Sequence, residues 1–350
     1  MCKRVRRHVL IVLIIVSQLL VGCSTIQGDT DNKVYSYKSY DYMNFSYLHD
    51  TDMVYIREGF HGIGFGVFLD GKSIPDHFDG RLELECSNFV LEASIENITP
   101  TDEHFILKVF INYEEVLFRP LGEVEYTKGF TFFLPSGKKV EIPFVLDLDF
   151  PEENYTYKLT AGIFIAPDIN AKEFDMPIQI HGASLNFDLI MGEGGYIARD
   201  MTYNMNPLAR RENVYFIDFR VNTQAGDLQA MEYSAVPELL LQGRAGEAIE
   251  LSYFVNPSMQ QWDELESYLI FAMLNFEQIK LSGESYLFVH VEEHEFNQLV
   301  EHGKFFIELP SVPGFYDFVA IMIPNPTNHN SLTNFFLLQI ADRFTIEVVE

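Results

Sequence analysis

The residues best spaced for chemistry are His290-Val291-Glu292-Glu293-His294. Two imidazoles four apart, with a carboxylate between them, can chelate zinc and supply a base when they share one turn of helix. The preceding residues argue against that turn. Ser285 to Val291 alternates with period two, the pattern of a strand. Residues four apart on a strand share a face, but lie too far apart to hold one small ion as helical neighbours do. Ser136-Gly137-Lys138-Lys139 offers a serine three residues before a lysine. That pair meets only when the serine starts a helix, and Pro135-Ser136-Gly137 reads as a turn. Gly59-Phe60-His61-Gly62-Ile63-Gly64-Phe65-Gly66 is glycine-rich, but has no Gly-Lys-Ser/Thr for a phosphate and is followed by a strand-like Val67-Phe68-Leu69. Glycines alternating with aromatics mark a strand with close backbone approach. Phe60, His61 and Phe65 remain candidates for a binding surface, as does Trp262, the sole tryptophan. No catalytic, metal or cofactor set is expected from these motifs.

The elements that must carry these residues are strands. Phe89 to Glu96, Phe105 to Asn112, Phe130 to Leu134, Lys139 to Leu146 and Tyr155 to Ile165 are rich in Val, Ile, Phe, Tyr and Thr. Turn chemistry separates them, as at Thr99-Pro100-Thr101-Asp102 and Pro151-Glu152-Glu153-Asn154. Pro143 within the fourth run argues for an edge there. Short helices are expected at Met259 to Glu266 and at Glu293 to His302, the second stopping at Gly303. Leu82-Glu83-Leu84-Glu85-Cys86 alternates so as to bury the Cys86 thiol.

The pattern recurs about 160 residues later. Ile95-Glu96-Asn97, a loop and Phe105 to Glu114 match Phe254-Val255-Asn256, a loop and Tyr268 to Glu277. In both, the second strand ends in Asn-aromatic-Glu. Tyr155 to Ala161 likewise matches Gly314 to Ala320. Each copy resembles an immunoglobulin-like sandwich. The resemblance rests on the short strands and on a tyrosine (Tyr157 or Tyr155, and Tyr316) placed for a tyrosine corner, with no inter-sheet cysteine pair.

The N-terminus carries an address. Lys3, Arg4, Arg6 and Arg7 precede an apolar run from Val9 to Val21, too short to span a bilayer. Leu20-Val21-Gly22-Cys23 resembles the lipobox of bacterial lipoproteins. The resemblance implies diacylation of Cys23, cleavage before it and stable anchoring by its lipid chains. Cleavage removes four Lys/Arg and no Asp/Glu, deepening the net charge from −27 to −31. Such a chain is pushed away from nucleic acid and anionic lipid. Cys86 is then left without an intramolecular partner.

The expected organisation is all-β: signal 1–22, lipidated tether and Tyr-rich segment 23–50, sandwich 51–190, linker 191–213 and sandwich 214–350. The Tyr-rich segment is expected to pack on the first sandwich. The expected function is a non-enzymatic binding or scaffolding lipoprotein on the extracytoplasmic face of a bacterial membrane, gripping an envelope protein or glycan. Two alternatives stand beside it. One is a metal-dependent hydrolase built on His290 and His294, whose spacing resembles that of inverted zinc peptidases. The other is the solute receptor of an importer, which calls for an α/β chain.

Overall fold

A computed structural model describes residues 40–41, 62–69, 81–84, 89–146, 156–173, 182–191, 202–204, 209–212, 219–222, 240–255, 266–291, 299–327, 339–341 and 343–350. Strands dominate them. In the first half these are β1 (Tyr40–Asp41), β2 (Ile63–Leu69), β3 (Arg81–Leu84), β4 (Leu91–Asn97), β5 (Glu103–Ile111), β6 (Glu114–Glu115), β7 (Phe118–Pro120), β8 (Gly129–Leu134), β9 (Lys138–Leu146), β10 (Thr156–Ile165) and β11 (Gly182–Met191). In the second they are β12 (Ala209–Glu212), β13 (Phe219–Asn222), β14 (Leu240–Arg244), β15 (Ala248–Val255), β16 (Ser267–Leu274), β17 (Glu277–Ile279), β18 (Leu287–His290), β19 (Leu299–Glu308), β20 (Gly314–Pro324), β21 (Gln339–Ile340) and β22 (Phe344–Val349).

Strand order makes each half an immunoglobulin-like sandwich. The first pairs a β1-β9-β4-β2 sheet, with β7 beside β9, against a β3-β11-β10-β5-β6 sheet, with β8 beside β5. The second pairs β12-β19-β15-β13 against β14-β22-β20-β16-β17, with β18 beside β16 and β21 beside β20. The parallel pairs β3–β11 and β14–β22 occupy the same place in the two halves. Alternation puts Leu91, Ala93, Ile95, Leu107, Val109, Ile142 and Phe144 in the first core. It puts Leu251, Tyr253, Ile270, Ala272, Phe318 and Ala320 in the second.

The recurrence read from sequence is a structural one, down to its irregularities. Asn112-Tyr113 and Asn275-Phe276 both turn at positive φ (50° and 66°, 48° and 61°). Two such residues make the tight hairpin whose twist suits paired strands, and asparagine tolerates that region best among non-glycines. Asn112 exchanges bonds with Lys158: its N–H donates to the Lys158 carbonyl, and its Oδ1 accepts from the Lys158 N–H. Asn275 does the same with Asp317. Tyr316 Oη donates to Val312 O at 2.9 Å, which is the expected tyrosine corner.

Several expectations change. Residues 299–302, assigned to a helix ending at Gly303, belong to strand β19. Gly303 lies opposite Tyr253, and a Cβ there would run into the Tyr253 ring. The glycine makes room for a cross-strand aromatic; it does not stop a helix. Pro143 lies in β9, which has neighbours on both sides, yet it falls between the short partners β1 and β7. On that side its carbonyl accepts the Leu121 N–H. The segment assigned to a linker contains β12, paired with β19. It also contains Asn204, whose N–H donates to Phe288 O and whose Oδ1 accepts the Phe288 N–H. Of the Tyr-rich segment, Tyr40 and Asp41 are described, and they pair with Lys139 and Lys138 of the first sandwich. Gly64 fulfils the close-approach reading, since a Cβ would sit 2.9 Å from that of Glu96.

Candidate functional site: the joint and its exposed rim

β10, β16 and β20 do not alternate. Every residue of β10 and β16 is buried, as are the last eight of β20. A strand buried on both faces must be covered twice. One face meets its own sandwich core. The other meets the opposite sandwich through Phe110, Tyr113, Phe164, Leu269, Phe271, Met273, Phe276, Phe288, Val319, Ile321 and Ile323.

The two halves meet through equivalent faces. Phe110 packs on Phe271 and Phe164 on Phe276, with ring centroids 4.8 and 5.6 Å apart. Glu115 and Gln278 hold equivalent places on β6 and β17. There the Glu115 N–H donates to Gln278 Oε1, and Gln278 Nε2 donates to Tyr113 O, both at 2.7 Å. The end of β10 thus lies beside the start of β20. Like surfaces meet like, as in a two-fold dimer, but within one chain.

Charged groups are buried at this joint, and each has partners. Arg343 is 1% exposed. Its Nε donates to Asp317 Oδ2 at 2.6 Å. Its other nitrogens donate across the joint to the carbonyls of Ile165, Ala166 and Ile169. Asp317 also accepts from Thr345 Oγ1 at 2.7 Å and from the Ala171 N–H at 3.2 Å. The Lys172 N–H donates to Thr345 Oγ1. Arg343 and Asp317 therefore clamp the segment after β10, including a single 3-10 turn at Ala171–Glu173, onto the second sandwich. Burial pulls the Arg343 pKa down from its usual value, and the Asp317 carboxylate opposes that shift. In the first sandwich Lys158 pairs with Asp188 at 2.5 Å, and Thr160 donates to Asn186. Lys108 pairs with Glu115, which Lys128 also approaches at 3.4 Å. Burial lowers the Lys108 pKa, with Glu115 opposing, and holds Tyr113 well above the ordinary phenol range.

Beyond the clamp both joint-facing sheets run past the contact and become exposed. His104 shares the β5 face of Ile106 and Phe110, and Phe133 lies opposite it on β8 with rings 5.4 Å apart. His104 Nδ1 meets Asp168 Oδ2 at 3.0 Å. Ile169 follows, and Lys172 lies over the Phe315 ring at 2.9 Å. Phe315 shares the β20 face of Asp317 and Val319, with Val312 just before it. Phe133, Ile169, Val312 and Phe315 are 56%, 38%, 64% and 42% exposed. They form a strip that crosses from one sandwich to the other.

Sequence reasoning did not single out Arg343, Asp317, Phe133 or Phe315. For three of the charges that meet at the joint the signal was a charge embedded in an apolar strand: Lys108, Lys158 and Asp317 interrupt such runs, whereas Arg343 lies just before β22 and carries no such signal. Phe65, a sequence candidate, lies on β2 and packs against the first core. Phe60, His61, Trp262, Cys86 and Cys23 lie outside the described residues, as does His294. His290 ends β18 as an exposed residue against the Tyr203 ring, 5.0 Å away. Ser136 sits in the expected turn, its hydroxyl donating to Thr99 O at 2.6 Å. Among the described residues, no three His, Cys, Asp or Glu converge on a metal-sized site.

No protein-family profile matches the chain, and no curated protein matches it. Solved structures similar to it include the E. coli chaperone DraB, at 9% identity over 83% of this chain and 97% of that one, with a TM-score of 0.25. Another is the C-terminal domain of the Streptococcus pyogenes antigen I/II-family protein AspA, at 9% identity over 83% and 100%, with a TM-score of 0.21. Red sea bream transglutaminase matches at 9% identity and a TM-score of 0.24, but this chain covers only 31% of it. The immunoglobulin-like assignment rests on strand order: two such sandwiches joined face to face.

Proposed function

We propose that the chain is a membrane-anchored, extracytoplasmic module that binds or scaffolds an envelope protein or glycan without catalysis. The joint is the observation that carries this reading. Five buried charged residues, Lys108, Lys158, Asp188, Asp317 and Arg343, are engaged in ion pairs within one sandwich or the other, and Arg343 and Asp317 also hydrogen-bond across the joint. Their chemistry fixes two sandwiches into one frame and leaves an exposed strip at its rim. Fixed surfaces on rigid sheets are what recognition requires. The lipobox-like Leu20 to Cys23 supports a lipid anchor, and the acidic net charge supports lipid rather than surface charge as what holds the chain at a membrane. An importer receptor finds no support in the sheets, which among the described residues are antiparallel except at β3–β11 and β14–β22.

Expression of the whole chain in a bacterial host with labelled fatty acid tests the anchor. The expected result is a labelled protein in the membrane fraction, and a Cys23→Ser variant that is unlabelled and released. An unlabelled wild type, or a Cys23→Ser variant retained equally, overturns it.

A further inference from the structure

The strip at the rim has a composition that selects its occupant. Its apolar members are Phe133, Ile169, Val312 and Phe315. Asp102, Glu103, Asp168 and Glu173 lie in the segments that carry it, and Glu347 is the cross-strand neighbour of Phe315. The nearby cation Lys172 is held over the Phe315 ring. Apolar anchors within a carboxylate rim fit a partner that brings apolar side chains together with positive charge. A second copy of this chain brings the opposite, since its net charge is −27. Anionic lipid is repelled for the same reason.

The strip is also preorganised. Arg343 accounts for the Ile165, Ala166 and Ile169 carbonyls directly beneath it, and Asp317 and Thr345 hold the Ala171 and Lys172 N–H groups. The backbone that carries Asp168 and Ile169 is therefore fixed before any partner arrives, which lowers the ordering cost of binding.

We propose that this strip, formed jointly by the two sandwiches, docks a cationic polypeptide segment. Its apolar side chains sit on Phe133, Ile169 and Phe315, and its lysines or arginines meet Asp168, Glu173 and Glu347. The inference deepens the binding-module reading and rests on it.

The test measures anisotropy of short labelled peptides added to the purified whole chain. The probes are a lysine–leucine peptide, a glutamate–leucine peptide and a lysine–serine peptide. The lysine–leucine peptide is expected to bind and to weaken with added salt. A Phe133→Ser/Phe315→Ser double variant is expected to weaken it at least about tenfold, the scale of losing interface anchors. Val124→Ser, exposed elsewhere on the first sandwich, is expected to leave it unchanged. Both altered positions in the double variant are exposed, and an unchanged thermal melt confirms its fold.

Equal binding of the lysine–serine peptide overturns the proposal, because charge alone then suffices. So does binding that the double variant leaves intact. Self-association in sedimentation that the double variant abolishes assigns the strip to a second copy. Flotation with phosphatidylcholine vesicles that it abolishes assigns the strip to lipid. An envelope partner that co-isolates equally well with the double variant removes the strip and leaves the binding-module reading standing.

Discussion

Arg343→Met keeps an unbranched apolar stem and deletes the guanidinium that crosses the joint. Asp317 then stays buried with Thr345 Oγ1, the Ala171 N–H and Asn170 Nδ2 as donors, without its counter-charge. The carbonyls of Ile165, Ala166 and Ile169 lose the same donor at once. Removing one partner of a buried ion pair costs about 3–5 kcal/mol, because the remaining charge is left uncompensated. Asp317 keeps three neutral donors, which places the expected loss toward the lower end of that range. Against a total stability of about 5–15 kcal/mol this is a large fraction. Arg343→Met/Asp317→Asn removes the orphaned charge while keeping an acceptor for Thr345 and Ala171. It is expected to recover about 2 kcal/mol relative to the single variant. Urea unfolding followed by far-UV circular dichroism reads both values. The wild type is expected to unfold in one transition, and Arg343→Met to show the two sandwiches separating into two. A single-variant cost below about 1 kcal/mol, far under the range for a broken buried pair, refutes the clamp. A double variant no better than the single refutes the charge argument.

Gly303→Ala pushes a methyl group into the Tyr253 ring and is expected to destabilise by about 1–3 kcal/mol. Gly314→Ala, where the nearest atom is 3.5 Å away, is expected to stay within about 0.5 kcal/mol in the same urea titration. Tyr316→Phe removes the bond to Val312 O and is expected to cost about 1 kcal/mol by thermal melting, with no change in fold. Burial raises the Glu96 carboxyl pKa more than Lys139 lowers it, so its ionised form is disfavoured in the native chain. The native state therefore holds that proton more tightly than the unfolded state, and the cost of ionisation is present above the raised value and relieved below it. Glu96→Gln is expected to raise Tm at neutral pH, and to lose that advantage as the pH falls through the raised value to the ordinary glutamate range.

Much of the fold was legible because the strands alternate. The β4, β5, β8 and β9 ranges fall within a residue or two of those read from the sequence, as does β10, which shows as a β-branched and aromatic run bounded by turns, and the Asn-aromatic-Glu hairpins marked the duplication. Gly303 was misread because a glycine after a polar run looks the same as a helix stop. Its cause, the Tyr253 ring across the sheet, is a long-range contact that local sequence does not carry. The joint was hidden for a related reason. Ser267 to Leu274 and Phe318 to Ile323 lack alternation, which means burial on both faces, but nothing local says what covers the second face. Lys158 and Asp317 occupy the same hairpin-facing position in the two halves and face different partners, so the repeat alone does not reveal the clamp. The rim strip combines residues from β5, β8, β20 and the segment after β10, and only the docking of the sandwiches brings them together.

An anchored, rigid pair of sandwiches is expected to bind a partner at the membrane. The most direct test is isolation of the full-length chain from membranes after mild chemical cross-linking, with the recovered material quantified by mass spectrometry against the released Cys23→Ser variant. The expected result is an envelope protein or glycan recovered in near-stoichiometric amount with the anchored chain. Recovery of the chain alone, with and without cross-linker, contradicts it.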